Sequence, residues 1–278
     1  VKVSRRSLLL GGAGVGIVGV GAGVLTDVLP GGPRVRRLLG LTGPDGTIPD
    51  VPAGPVVTSK LASRARGRDV TVITMAPEGF TADALPKVVA LHGRGGDANW
   101  ILGLGLPKFL TAAVRAGVPP FAVISVDGGP DTYWVDSKPG DDPQKMLTDE
   151  LPAVQAAFGV SMGAFGALRF ARNRRDLKAV AVAGPALFES WSDASIRGAF
   201  ASEAQWSANE PLRHANDIAG VPLGVWCGTE DPFVDAAHSL ISQTHPAQAA
   251  IGPGAHEDPY WLRVLPDMMA FIGAKVRA

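Results

Sequence analysis

One serine in the chain is bracketed by glycines, in Gly159-Val160-Ser161-Met162-Gly163. This G-x-S-x-G run follows the apolar stretch Ala153–Val160 and leads into a helical pattern, Met162–Arg172. A serine on a sharp turn between strand and helix presents its hydroxyl as the nucleophile of covalent acyl transfer. So tight a turn needs small neighbours, and the first N–H groups of the following helix face the oxyanion that develops. Ala164, Gly166 and Ala167 extend the small-residue face and let the helix approach the sheet. Alone, the motif could be a glycine-rich turn with an incidental serine; strand before and helix after make Ser161 the candidate nucleophile.

A hydroxyl attacks only when a histidine takes its proton, and that histidine needs an acid to fix its tautomer. Where the nucleophile lies in such an elbow, the acid and then the base follow it in chain order. The apolar run Pro222–Cys227 leads into Gly228-Thr229-Glu230-Asp231-Pro232-Phe233, which makes Asp231 the candidate acid. Glu230 and Asp235 are its rivals, Asp235 falling inside the next helical pattern, Pro232–Gln243. The structural alternative for Asp231 is a helix cap with Pro232 at the first helical position. Five histidines compete for the base. His92 and His214 precede the acid, His238 lies within a helical pattern, and His245 precedes Pro246 in a turn. His256 closes the loop Gly252-Pro253-Gly254-Ala255-His256 after the strand pattern Gln248–Ile251, and is the candidate base. Its alternative is a surface-loop histidine. Two N–H donors are needed for the oxyanion. Met162 supplies one, and Arg94 the other, from His92-Gly93-Arg94-Gly95-Gly96 after the strand pattern Val88–Leu91. His92 itself reads as a packing and hydrogen-bonding residue.

These loops must be held by the elements around them. Val56–Leu61 and Val70–Met75 read as an opening meander. Val88–Leu91, Phe121–Val126, Ala153–Val160, Lys178–Ala183 and Pro222–Cys227 are short and apolar, as strands buried on both faces are. Helical stretches such as Pro107–Ala116 alternate with them, which predicts a mostly parallel α/β sheet with chemistry at the carboxyl ends of its strands.

With 46% hydrophobic residues the 278-residue chain can bury one large domain, placed at 56–278. Its 26 basic and 26 acidic residues balance, so no nucleic-acid surface is indicated. The lone Cys227 excludes an intramolecular disulfide and a thiolate metal cluster; it ends an apolar run and reads as a buried small hydrophobe. No metal and no cofactor are expected.

Residues 1–25 carry Arg5-Arg6 before a Gly-rich apolar stretch ending near Leu25, the pattern of a leader for the twin-arginine (Tat) export machinery, either cleaved or kept as an anchor. Loss of Lys2, Arg5 and Arg6 with it would leave a mildly acidic protein. Residues 26–55, rich in Pro and Gly, read as an irregular spacer, and Arg34, Arg36 and Arg37 as a solvated face or a membrane-surface contact.

Taken together, Leu91–Gly96, Asp127-Gly128-Gly129 with Tyr133-Trp134, Gly140–Leu147, Gly159–Leu168, Trp226–Phe233 and Gly254–Trp261 resemble the secreted actinobacterial esterases of the esterase D and antigen 85 type. The resemblance runs from about residue 56 to the C-terminus. It implies an α/β-hydrolase fold with at most a small cap, and carboxylic-ester hydrolysis through Ser161, Asp231 and His256. Met162 and Arg94 would be the oxyanion donors, and a small-molecule, lipid or sugar ester the substrate. Acyl transfer to a sugar and a catalytically idle cell-wall or host-binding protein are the alternatives. Two features depart from that pattern. Ala164 stands where a glycine is common, and Asp142–Leu151 is barely long enough for a helix before Pro152, although residues 128–152 suffice for a crossover and leave the packing of that face open. Between Lys178–Ala183 and Pro222–Cys227, residues 186–220 could form only a small cap. Phe188, Trp191, Phe200 and Trp206 there would either wall an acyl slot or pack into the core.

Overall fold

A computed structural model describes residues 36–136 and 138–276. The expected leader at 1–25 and Arg34 lie outside the described residues.

The chain opens with a hairpin, β1 (Val56–Ser63) and β2 (Arg68–Met75), paired antiparallel from Val56↔Met75 to Ser63↔Arg68. Strand β3 (Lys87–Leu91) follows, then α1 (Trp100–Gly103), α2 (Leu106–Arg115) and β4 (Ala122–Val126). Next come α3 (Pro143–Asp149), β5 (Ala156–Val160), α4 (Met162–Asn173) and β6 (Ala179–Ala183). A cap of α5 (Trp191–Ser195), α6 (Glu203–Asn209) and a 3-10 segment (Pro211–Ile218) precedes β7 (Leu223–Glu230), α7 (Val234–Thr244), β8 (Gln248–Ala255) and α8 (Asp258–Gly273). The sheet order is β1-β2-β4-β3-β5-β6-β7-β8, parallel from β4 to β8. The expected α/β architecture is present.

The apolar strand runs divide by alternation, as the period of two requires. Val88 and Ala90 of β3, Ala156 and Phe158 of β5, and Ala179 and Ala181 of β6 join one core, closed by Leu106 and Phe109 of α2 and Met268 and Met269 of α8. Val89 and Leu91, Ala157, and Val180 and Val182 join the other, beneath Phe165 and Leu168 of α4 and Leu240 of α7.

Three strands differ by three or more residues at one end from the sequence reading. β5 begins at Ala156 rather than Ala153, although Gln155 N–H already donates to Lys87 O at 2.8 Å. β8 runs on through Gly252-Pro253-Gly254 to Ala255, paired with a lengthened β7 as far as Glu230↔Ala255. Proline is tolerated there because β8 is an edge strand. Close approach does the rest: a Cβ on Gly228 would stand 2.3 Å from the Gly254 carbonyl oxygen.

The short segment before β5 forms α3, a seven-residue helix whose Asp142 cap accepts from Lys145 N–H at 2.9 Å. It buries Met146 and Leu147, and the rest of that face is filled by Tyr133, Trp134 and Val135, all buried. Trp134 lies against Gly128 and Gly166, where any Cβ would come within 2.5 Å and 2.4 Å of its ring. Ala164, the other departure, is fully buried in α4. In the cap, the buried Glu210 carboxylate accepts from Phe188 N–H, Leu212 N–H and Trp206 Nε1–H at 3.1, 3.2 and 3.1 Å, and so ties three segments together. Burial outweighs those donors and pushes its acid up to about 8.

Of the segment read as an irregular spacer, residues 36–38 are helical and 39–55 irregular, and the latter lie against the domain: Gly46 N–H donates to Pro259 O at 2.9 Å, and Arg263 Nη1 to Thr42 O at 3.1 Å. Of the arginine face expected to be solvated, Arg37 is exposed and Arg36 is not. Arg36 is buried beside Glu230, with Nε 3.1 Å from Oε2, and Arg37 pairs with Asp45 at 2.6 Å and Glu257 at 3.0 Å. No helix among the described residues is long and apolar enough to cross a membrane.

Candidate active site

Three loops at the carboxyl ends of β5, β7 and β8 bring Ser161, Asp231 and His256 together. Ser161 turns the chain from β5 into α4 with φ 55° and ψ −123°, a left-handed conformation that a non-glycine residue holds only under constraint. The constraint is packing: a Cβ on Gly163 would stand 1.9 Å from Leu91 O, and one on Gly159 2.3 Å from Gly163. The Ser161 N–H donates to Ala183 O at 3.0 Å, and its carbonyl accepts from Ala164 and Ala186 at 3.0 and 3.2 Å.

His256 Nε2 lies 2.8 Å from Ser161 Oγ, and His256 Nδ1 2.8 Å from Asp231 Oδ2. A carboxylate accepts, so Nδ1 carries the proton and Nε2 is left to accept from the serine hydroxyl. The Asp231 side chain is fully buried, and its second oxygen accepts from Phe233 N–H at 2.8 Å. The capping alternative is thus partly realised: the same carboxylate shapes the turn into α7 and holds the imidazole. Gly184, at φ 49°, makes room, since a Cβ there would come 2.6 Å from Asp231 Oδ2. The imidazole is edged by Phe233 and Trp261, with ring centroids 5.2 and 4.9 Å away.

The rival residues are elsewhere engaged or outside this chain of hydrogen bonds. Glu230 pairs with Arg36, and Asp235 is exposed on α7. His214 bonds Ser207 O at 3.0 Å, while His238 and His245 are exposed. Cys227 is buried, and burial together with the nearby Asp231 pushes its thiol up, away from the reactive thiolate.

His92 has the structural part read for it. Its Nδ1–H donates to Gly93 O at 2.9 Å, and Nε2 accepts from Gly128 N–H at 3.0 Å. Burial holds this imidazole below its usual range. The loop 92–96 is pinned to the loop after β4 by three further contacts: Gly95 N–H to Pro130 O at 2.6 Å, Trp134 Nε1–H to His92 O at 3.3 Å, and Arg94 bidentate to Asp131 at 2.8 and 2.7 Å. Buried Arg66 braces that second loop through the carbonyls of Asp127 and Gly128 at 2.8 and 3.2 Å. Among the described residues, neither the Arg94 N–H nor the Met162 N–H donates to a protein acceptor. For Met162 this is the ordinary state of a first helical turn.

Comparison with family models finds no match for the chain, and neither does comparison with curated proteins. Solved structures do match. A ferulic acid esterase superposes with a TM-score of 0.69 at 19% identity, over 80% of this chain and 98% of its own. An S-formylglutathione hydrolase from Agrobacterium tumefaciens gives 0.66 at 16% identity, over 83% and 99%. MPT51 of Mycobacterium tuberculosis gives 0.63 at 16%, over 81% and 100%. The fold is that of the α/β-hydrolases.

The Ser161 cleft is small, about 330 Å³, and its aromatic walls are Trp100, Tyr133, Phe233 and Trp261. Of the two readings of the cap aromatics, core packing is the one found for most of them: Phe200 and Trp206 are core, and Trp191 packs on Trp206 at 6.2 Å. Phe188 is buried too, though it borders a second cavity of about 410 Å³ that shares Phe233 and Arg197 with the cleft. Tyr133, desolvated in the wall, has its phenol pushed up to about 12 and stays a neutral donor. Tyr133, Phe233 and Trp261 stood in segments already singled out and Trp100 did not, but sequence reasoning assigned none of them to the cleft, because they come from four separate segments that only the fold brings together. No group of three or more His, Cys, Asp or Glu side chains among the described residues could hold a metal ion.

Two predictions follow from this geometry. Arg36 and Arg37 grip the residues next to Asp231 and His256, so Arg36→Ala with Arg37→Ala should loosen the acid–base contact. Turnover should drop by about tenfold with KM little changed, since small misplacements of reacting groups are costly; steady-state kinetics on a small ester measures it. For His92, the folded-state pKa lies below the unfolded ~6.5, so the unfolded chain binds more protons between the two values. Stability from this group is complete above about pH 6.5 and is lost as pH falls below it. Melting temperatures from pH 7.5 to 5 should fall more steeply for the wild type than for His92→Gln.

Proposed function

We propose that the chain is a serine carboxylic-ester hydrolase that works through an acyl-enzyme. The observation that carries this reading is the continuous hydrogen-bond chain Ser161–His256–Asp231, 2.8 Å at each link. In this reading His256 Nε2 takes the Ser161 proton as Oγ attacks the ester carbonyl. The oxyanion is held by the Met162 and Arg94 N–H groups, and Asp231 stabilises the imidazolium. The alkoxide leaves with the proton from His256, and water, activated by the same imidazole, then releases the acid. That solved structures of the same fold are named as an esterase and a hydrolase agrees with the reading.

The cleft's modest volume favours short acyl groups, because each buried methylene contributes ~0.8 kcal/mol only where there is wall to bury it. The test joins two measurements. The wild type should label with a fluorophosphonate probe and hydrolyse p-nitrophenyl esters best at about two to eight acyl carbons, while Ser161→Ala should lose labelling and all but about a thousandth of kcat. A variant retaining a tenth of wild-type turnover would sink the nucleophile assignment. A rate rising steadily to palmitoyl esters, or faster release in the presence of a sugar acceptor, would favour acyl transfer instead.

We further propose that the protein is exported by the twin-arginine route, on the strength of Arg5-Arg6 ahead of the Gly-rich apolar stretch. Replacing both with Lys should retain the protein in the cytoplasm; undiminished appearance outside it would point to another route.

A further inference from the structure

Two guanidinium groups border the Ser161 cleft, and they are in different circumstances. Arg94 is spent on Asp131, which takes both its Nε–H and Nη2–H. Arg197 meets no carboxylate and no hydrogen-bond acceptor among the described residues. It is held by aromatic faces instead, with Cζ 5.9 Å from the Phe188 ring centroid and 5.2 Å from that of Phe233. A cation laid over rings is oriented without using its N–H groups, so all five donors stay available. The backbone under it is set by the end of α5, where Arg197 N–H donates to Ala194 O at 3.1 Å and Gly198 turns the chain at φ 68°.

Its position relative to the chemistry is fixed by Phe233. One side of that ring carries Arg197, and its centroid lies 5.2 Å from the ring of His256. One aromatic ring therefore separates an unpaired guanidinium from the base that bonds Ser161. Acidic groups border the same space: Asp258 in the cleft, and Glu189, Asp193 and Asp235 in the adjoining cavity, but none forms an ion pair with Arg197. The remaining walls near it, Tyr133 and Phe233, are aromatic and would bind a neutral acyl chain without help from a cation.

We propose that Arg197 is a specificity residue, and that the substrate is an ester carrying a carboxylate, which the guanidinium fork binds one aromatic ring away from the reacting carbonyl. This rests on the serine-esterase reading of the site. The planar fork matches a carboxylate with two parallel N–H···O bonds, stronger than neutral ones. Proximity alone leaves open whether the carboxylate sits on the acyl or the alcohol part, and the test has an arm for each.

The acyl arm compares p-nitrophenyl hemiadipate with p-nitrophenyl hexanoate; the alcohol arm compares the butyrate ester of 4-hydroxybenzoate with that of 4-hydroxybenzamide. In at least one pair the wild type should favour the anionic member about tenfold or more in kcat/KM, mainly through KM. The anionic-to-neutral ratio should collapse in Arg197→Gln and recover in part in Arg197→Lys. Equal or reversed preference in both pairs, or a preference that survives in Arg197→Gln, overturns the proposal. Fluorophosphonate labelling separates the two failures: a chain that labels but shows no preference loses only the Arg197 proposal. If it does not label, the esterase reading falls, and calorimetry on Ser161→Ala still decides the binding claim. Adipate or 4-hydroxybenzoate must then bind more tightly than its amide, and equal affinity overturns it.

Discussion

The strained turn at Ser161 is the constraint from which the rest of the structure follows. A serine at φ 55° and ψ −123° costs on the order of 1–3 kcal/mol, and persists only where its surroundings leave no alternative. Here they leave none. Gly163 lies so close to the end of β3 that no side chain fits, Gly159 lies as close to Gly163, and the Ser161 amide and carbonyl are both bonded. That proximity in turn demands a helix that can sit close to the sheet, hence the small residues of α4. It also demands a second layer to fill what they leave, and Trp134 against Gly166 provides it. The site's rigidity and the domain's core packing are the same contacts.

A second dependence runs through the edge of the sheet. Asp231 and His256 meet because β7 and β8 stay paired beyond their apolar runs, through the glycines at 228, 252 and 254. Their loops are then gripped from outside by the segment 36–46, through Arg36 to Glu230 and Arg37 to Glu257. The buried Asp231 carboxylate is tolerated because each of its oxygens has a donor, one from the backbone and one from the imidazole. The 92–96 loop follows the same logic: its side chains and other amides are tied to the loop after β4, while the Arg94 amide stays free.

The cap has a different role from that of a lid. Its large aromatics are mostly core, and Glu210 at its base gathers three donors from separate segments. What it offers the cleft is Arg197, carried on the rings of Phe188 and Phe233. The cleft is thus walled by aromatics and bordered by one uncommitted cation.

The sequence by itself determined the alternation of strand and helix, the elbow around Ser161, and the order of acid and base that singled out Asp231 and His256. These are local matters: period, glycine spacing and the loop that ends each apolar run. It also marked the 92–96 loop and the part His92 takes there. Only the tertiary structure decided the rest. It showed β8 running through a Gly-Pro-Gly sequence that reads as a turn, because an edge strand needs only one ladder. It decided that the aromatics of 188–206 are mostly core while Trp100, Tyr133, Phe233 and Trp261 wall the cleft, and it tied Arg36, buried, and Arg37, exposed, to residues beside the site. Each of these depends on partners far apart in the chain. No window of sequence contains both Arg36 and Glu230, or both Arg197 and Phe233, and the geometry of such pairs is set by how the sheet stacks its loops.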